Sequence, residues 1–219
     1  MTTPSSAAAL LSAHPLHVME KEIIHSHYDP NSCLQRLKSL IEIYKIPHSN
    51  LVYAALETRF LIESTLVFYL DILEDSNLSN TKKKQYKPND LVTSLNDIEP
   101  NLEKKMNFIF LLAPFIGIPK PPPPLDIELT KSVHGRLGNY LHVSHKTHIA
   151  SNEPEFWPDL HKLIGSIKPH LEAVIDAGFP RIDLSELGKN NFNAYVDGSI
   201  SDDQLVSTFK ETEDHNQSQ

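Results

Sequence analysis

The chain has 219 residues, of which 40% are hydrophobic and 22% charged, and its formal net charge is −8. This length suits one domain with appendages and allows a sizeable hydrophobic core, whereas the acidic balance argues against broad electrostatic binding of nucleic acid and leaves room only for a local cationic cleft. The single cysteine, Cys33, excludes an internal disulfide framework and a thiolate zinc site within one chain, so we expect a reducing, cytoplasmic compartment.

The N-terminal residues 1–30 are expected to form a tail with one short helix at residues 17–27. Their apolar run, residues 7–11, is short and has no basic residues before it, so no signal peptide is expected. The strongest candidate for a membrane span, residues 51–73, is interrupted by charged side chains. These are Glu57, Arg59, Glu63 and Asp71. We therefore expect no membrane association.

Helical periodicity predicts four helices in the first half of the chain. They cover residues 32–44, 51–73, 90–98 and 102–112. The second has apolar residues around most of its circumference, which is typical of a long central helix packed on several sides. The polar segment 75–89 contains three consecutive lysines at 82–84 and is interpreted as a solvated loop, with a phosphate-contacting loop as the alternative.

Prolines divide the second half of the chain. Residues 121–124 are four prolines, which predict an extended polyproline spacer. A helix is predicted over residues 126–148, and another over 154–176, with Pro169 expected to kink or split it.

The C-terminal residues 179–219 are mixed in character. Asp197-Gly198 predicts either a small hairpin or a loop before a short helix at residues 202–209. The sequence therefore predicts an all-α protein with an N-terminal tail (1–30), a helical bundle (31–178) and a small C-terminal appendage and tail (179–219).

One short stretch, residues 134–142, concentrates the groups that carry chemistry. It reads His-Gly-Arg-Leu-Gly-Asn-Tyr-Leu-His, and no acidic residue lies between Lys131 and His148. On a helical wheel with steps of about 100° per residue and Arg136 at zero, Asn139 lies at about −60° and His142 at about −120°. The apolar residues fall on the other side, so the helix can bury one face and present the three polar groups to a cleft.

Arginine, asparagine and histidine together suit the cleavage of RNA. Arginine binds phosphate bidentately and keeps its charge, and imidazole titrates near neutrality and moves protons. The 2′-hydroxyl of RNA attacks its own phosphate, so no metal or other cofactor is needed. Further contacts to RNA are expected from the neighbouring basic and imidazole side chains. These are Lys131, His134, His145 and Lys146.

Two structural alternatives stay open for this stretch. Its glycines, Gly135 and Gly138, suggest close approach by a ligand or another helix, but they also suit a kink or a helix start, with the histidines merely on the surface. His142, His145 and His148 follow one another at intervals of three, but without a nearby carboxylate they make an incomplete zinc set. The sequence therefore predicts no metal site.

Arg59 and Glu63 lie one turn apart on the predicted central helix. Ionic side chains on a mostly buried helix must be paired or must face a cleft. We interpret them first as a structural ion pair, and second as support for Arg136 or His142 through Glu63.

The residues from Val133 to His142 resemble the signature helix of HEPN domains, which has an arginine, four to six intervening residues and a histidine. Here five residues separate Arg136 from His142. The Gly138-Asn139-x-x-His142 portion looks like a variant found in many bacterial HEPN-like domains. The earlier Arg59-x-x-x-Glu63 is similar to the family's long second helix.

The resemblance implies a bundle of four to five helices, commonly a homodimer with the arginine and histidine of both chains near the shared interface. Active members are metal-independent endoribonucleases of toxin–antitoxin, abortive-infection and other antiviral defence systems. By this resemblance, Arg136 is the phosphate stabiliser and His142 the proton-transfer group. Asn139 is a positioning residue, and Glu63 and Arg59 support the site.

The alternative is a non-catalytic HEPN-like module that binds a protein, a nucleotide or RNA. Ribonuclease members usually have Asn, Asp or His directly after the arginine, whereas this chain has Leu137. The net charge of −8 favours the same alternative, and it also suits a third one, in which this chain is itself an antitoxin or immunity-type partner protein.

Overall fold

Helices account for nearly all of the regular structure in the computed structural model. It describes residues 11–12, 29–42, 48–74, 87–116, 121, 123–142, 152–177, 183–184 and 186–217. Within these ranges the α-helices are α1 (Pro30–Ile41), α2 (His48–Leu73), α3 (Pro88–Ile98), α4 (Leu102–Leu112), α5 (Ile127–Leu141), α6 (Phe156–Ala177), α7 (Glu186–Val196) and α8 (Asp202–Gln217). A 3-10 helix, Ala113–Ile116, follows α4. The predicted all-α class is confirmed.

Among the residues that the structure describes, the strands form one two-residue pair. β1 (Leu11–Ser12) runs antiparallel to β2 (Asp183–Leu184), with Leu11 opposite Leu184. None of the helices in the described ranges is long and apolar enough to span a membrane.

Two compact units divide the described helices. The first contains α1, α2, α3, α5 and α6 up to Asp176, and is called the α2 unit. The second contains α4, the 3-10 helix, α7, α8 and the strand pair, and is called the α4 unit. The helical bundle predicted over residues 31–178 includes α4, and the appendage predicted over 179–219 includes α7 and α8.

In the α2 unit, α2 packs against α1, α3 and α5. The shared core is aliphatic, and burying one leucine side chain fully contributes about 1.5–3 kcal/mol. Its fully buried leucines and isoleucine include Leu37, Leu61, Ile62, Leu70, Leu91 and Leu137. Two buried hydroxyls on α2, those of Thr58 and Thr65, donate to carbonyls one turn earlier at 2.7 Å each, which satisfies them inside this core.

Capping residues set both ends of the helix that carries the candidate site. At the start of α5, the Asp126 carboxylate accepts the Leu129 backbone N–H at 2.8 Å. At its end, His142 has φ −78° and ψ 120°, which is extended backbone, so α5 stops at Leu141. The prediction of a helix to residue 148 fails at this point; residues 143–150 lie outside the described ranges.

Other predicted boundaries differ by a few residues. α1 begins at Pro30 instead of residue 32, because Asp29 is its N-cap and accepts the Ser32 N–H at 3.1 Å. Pro169 lies inside α6 without ending it. The predicted short helix at 17–27 and the lysine-containing segment 75–86 lie outside the described residues.

The α4 unit has an aromatic core. It contains Phe108, Ile109, Leu112, Leu205 and Phe209. The Phe108 ring makes an edge contact with Phe192 on α7, with centroids 5.6 Å apart. Gly198 has φ +82° in the turn between α7 and α8, so the Asp-Gly pair forms a loop between helices and not a hairpin.

Candidate functional site

The exposed face of α5 displays the three residues that the sequence singled out. Arg136, Asn139 and His142 are all exposed, at the three-residue spacing that keeps side chains on one side of a helix. On the opposite side, Val133 is 1% exposed and Leu137 is fully buried. The amphipathic pattern of the sequence therefore correctly predicts which side of α5 is buried and which is exposed.

Gly138 brings His142 close to an arginine of another helix. A Cβ atom at Gly138 would lie 3.8 Å from Cδ2 and 3.9 Å from Nε2 of His142, and 4.0 Å from Nη1 of Arg59. The imidazole therefore folds back over Gly138, and the guanidinium reaches the same point from α2. The glycine leaves space for a methyl group that would touch both the imidazole of His142 and the guanidinium of Arg59, and we call this space the Gly138 recess.

A hydrogen bond between α2 and α5 supports this recess. Nε2 of His134 lies 2.7 Å from Oε1 of Glu63, and Nη2 of Arg59 lies 3.6 Å from the same oxygen. Nε of Arg59 is also 3.3 Å from Nε2 of His134. A ring nitrogen of a neutral histidine can donate or accept, but not both. The contact of Nε2 with the Glu63 carboxylate is shorter than its contact with Arg59, so we assign the proton to Nε2, and His134 donates to Glu63.

The supporting side chains are mostly withdrawn from water. The exposed side-chain fractions are 22% for Arg59, 17% for Glu63 and 12% for His134. In such surroundings a charge needs a partner, and Glu63 provides it for Arg59. Because one carboxylate holds both Arg59 and His134, the guanidinium has a fixed position from which Nη1 faces the Gly138 recess.

Arg136 lies one helical turn before Tyr140 on α5. Burial raises the pKa of Tyr140 and the charge of Asp159 adds to the rise, while the Arg136 guanidinium lowers it. Arg136 is therefore close enough to Tyr140 to influence its ionisation. Arg136, Asn139 and His142 follow one another in that order along the exposed side of α5.

The remaining candidates have the following positions. Lys131 pairs with Glu128 on the same helix, Nζ to Oε1, at 3.0 Å. His134, predicted as an RNA contact, is engaged with Glu63. His145, Lys146 and His148 lie outside the described residues, and within the described ranges no three histidine, cysteine or acidic side chains cluster so as to hold a metal ion.

Two features of this region were not predicted. The sequence suggested that Glu63 links this pair to Arg136 or His142, whereas in the structure Arg59 itself approaches His142 beside Gly138. The second feature is a row of four rings. Centroids are 4.9 Å apart for Tyr140 and Phe156, 4.9 Å for Phe156 and Trp157, and 4.2 Å for His48 and Trp157.

The site is therefore assembled from α2 and α5, with the row of rings extending to α6. No protein-family model matches the chain, and no curated protein and no solved structure is similar enough to match it.

Proposed function

We propose that this protein is a metal-independent endoribonuclease with a HEPN-like bundle built around α2, and that the exposed face of α5 is its active site. The observation that carries the proposal is the Gly138 recess, where Nε2 of His142 and Nη1 of Arg59 lie 3.9 and 4.0 Å from one point. A guanidinium and an imidazole beside the same point suit a phosphate and the hydroxyl that attacks it.

In the proposed reaction, His142 takes the proton of the 2′-hydroxyl while that oxygen attacks the adjacent phosphorus. The bond from phosphorus to the 5′-oxygen breaks, leaving a 2′,3′-cyclic phosphate, and the 5′-oxygen receives the proton from His142. Arg59 stabilises the negative charge that develops on the phosphate oxygens. No metal enters any of these steps.

The other site residues assist this chemistry in different ways. Glu63 is a positioning residue, because its carboxylate holds Arg59 at 3.6 Å, and His134 supports it by donating to the same carboxylate at 2.7 Å. Arg136 and Asn139, exposed on the same face, bind the neighbouring phosphates of the RNA strand. Arg136 thus keeps the phosphate-binding role that the resemblance implies, and Arg59 joins it at the reacting phosphate.

We further propose the setting that the HEPN resemblance implies. The protein acts in the cytoplasm as a homodimer, in a bacterial defence or toxin system, with RNA as substrate and a protein partner from the same system. Cys33, the only cysteine of the chain, is a buried free thiol, which is compatible with a reducing compartment.

Cleavage of RNA by the purified protein in EDTA tests the proposal. Wild type should convert RNA to products that end in 2′,3′-cyclic phosphate, and His142→Ala and Arg59→Ala should each lose this activity, by about 10²-fold or more for the proton-transfer group. Arg136→Ala should weaken binding of RNA. Cleavage that survives both His142→Ala and Arg59→Ala would exclude this site.

A non-catalytic binding module is the second candidate, and the burial of Leu137 favours it. HEPN ribonucleases usually have a polar residue directly after the arginine, whereas Leu137 is fully buried and cannot meet a ligand. This candidate predicts RNA binding without turnover. Expression of wild type and His142→Ala should then affect cell growth equally, whereas a ribonuclease should be toxic only as wild type.

A further inference from the structure

The row of rings next to the α5 face has a composition suited to nucleobases. His48 begins α2, Phe156 and Trp157 begin α6, and Tyr140 lies in the last turn of α5. The His48 and Trp157 planes are stacked, with 9° between them, and Phe156 meets Trp157 edge-on at 81°. These rings therefore form a continuous aromatic surface contributed by three helices.

The row is only partly withdrawn from solvent. Tyr140, Phe156 and Trp157 are half-buried and His48 is exposed. In the α4 unit, by comparison, Phe108 is fully buried, and Phe192 and Tyr195 beside it are half-buried. Aromatic surface that stays accessible beside a cationic group is the arrangement that proteins use to bind unpaired bases.

The charges around the row indicate which part of a nucleotide it meets. Arg136 and Asp159 both lie within electrostatic reach of Tyr140. The negative charge of Asp159 repels a phosphate placed over the rings, whereas it has little effect on an uncharged base. Phosphates are therefore expected on the Arg136 side, along the exposed face of α5, and bases are expected on the rings.

We propose that the row formed by His48, Trp157, Phe156 and Tyr140 is a base-stacking subsite that selects unpaired RNA. The identity of the ligand as RNA rests on the proposed ribonuclease function. In a duplex the bases are stacked on each other and are inaccessible to these rings, so the subsite discriminates against double-stranded RNA. The substrate is then a single-stranded segment whose backbone crosses α5 while its neighbouring bases stack on the row.

The fluorescence of Trp157 provides a direct test, because it is the only tryptophan in the chain. The probe is a short, unstructured 2′-O-methyl oligonucleotide, which binds like RNA but lacks the attacking hydroxyl. Titration of the full-length protein should quench Trp157 in a saturable manner. The same strand annealed to its complement should bind at least tenfold more weakly.

Substitutions at the exposed end of the row test its role in binding. His48→Ala should weaken binding of the single strand about tenfold, which lies within the usual range for one stacked base. His48→Phe should restore the affinity. Tyr53→Ala is the matched control on the same helix: Tyr53 is 61% exposed and lies outside the row, so its removal should leave binding unchanged.

The outcomes separate this inference from the proposed function. Quenching that persists in His142→Ala, together with loss of cleavage, supports both. Quenching by a single strand in a protein that never cleaves RNA supports the subsite and removes the ribonuclease. Equal binding of duplex and single strand, absent quenching, or wild-type affinity in His48→Ala at unchanged stability would each overturn the subsite and leave the rings as packing between helices.

Discussion

Glu63 and His134 lie 71 positions apart in the sequence, and Oε1 of one is 2.7 Å from Nε2 of the other. This contact joins α2 to α5 at the level of the candidate site. Because Arg59 shares the same carboxylate oxygen, one acidic side chain organises two basic ones. The stability of the helix pair and the geometry of the site are therefore linked.

Removal of this carboxylate should destabilise the protein. Glu63→Ala leaves the largely buried His134 N–H and Arg59 without an acceptor, and we expect the free energy of unfolding to fall by about 1–3 kcal/mol. Glu63→Gln keeps an acceptor oxygen and should lose less. Urea denaturation measures both.

Glu128→Ala provides the control for this change. Glu128 is 84% exposed and pairs with Lys131 on the surface. Such pairs contribute little, so its loss should stay within about 0.5 kcal/mol of wild type. Equal stability of Glu63→Ala and Glu128→Ala would show that the Glu63 contact does not hold the helices together.

Gly138→Ala should separate stability from function. The new methyl group meets its neighbours at 3.8–4.0 Å, which is ordinary van der Waals contact, so it fits without strain. Alanine is favoured over glycine in a helix by up to about 1 kcal/mol, so the free energy of unfolding should rise or stay unchanged. The methyl group fills the Gly138 recess, however, and RNA cleavage should fall.

Gly135→Ala is the matched control in the same helix. A Cβ atom there has no atom within 4 Å among the described residues, and the position is exposed. It should be stabilising to a similar degree without loss of cleavage. Thermal unfolding and initial rates of RNA cleavage compare the stability and activity of the two variants. Full activity in Gly138→Ala would mean that the phosphate does not bind at the Gly138 recess.

His170 should give the protein an acid-sensitive component of stability. Its Nε2 accepts the backbone N–H of Asp126 at 3.2 Å, at the start of α5. Burial lowers the pKa of His170 below 6.5, and the charge of Asp126 only partly offsets the effect. The folded state thus binds the proton less readily than the unfolded state, so this stabilisation is complete above pH 6.5 and is lost as the pH falls towards the folded-state pKa.

His170→Gln isolates this effect, since an amide oxygen accepts the same N–H and does not titrate. We expect the free energy of unfolding of wild type to fall more steeply than that of the variant as the solution is acidified through the histidine range. Urea denaturation at a series of pH values compares them. Parallel pH profiles for the two proteins would contradict the assignment.

Phe209→Ala should test the core of the α4 unit. Phe209 is 2% exposed and its ring lies against Phe115, with centroids 6.2 Å apart. Truncation of a buried phenylalanine typically costs about 3–5 kcal/mol. Ser207→Ala on the same helix is exposed and should have little effect, so near-identical denaturation curves for the two variants would show that α8 contributes no packing energy.

The sequence alone determined most of the helical elements and which side of α5 is buried, but it did not predict α7 (Glu186–Val196). α4 was predicted at 102–112 and found at Leu102–Leu112, and α2 ends at Leu73 as predicted, because apolar periodicity and proline positions act locally along the chain. The burial of Val133 and Leu137 opposite Arg136 likewise follows from the helical repeat.

Tertiary structure decided which residues meet. The partner of Glu63 is His134, Arg59 approaches His142 across Gly138, and α4 shares its core with α8. These relationships depend on which helix faces pack together and at what height along their axes. Many side chains across distant helices set that packing jointly, and no short stretch of sequence encodes it.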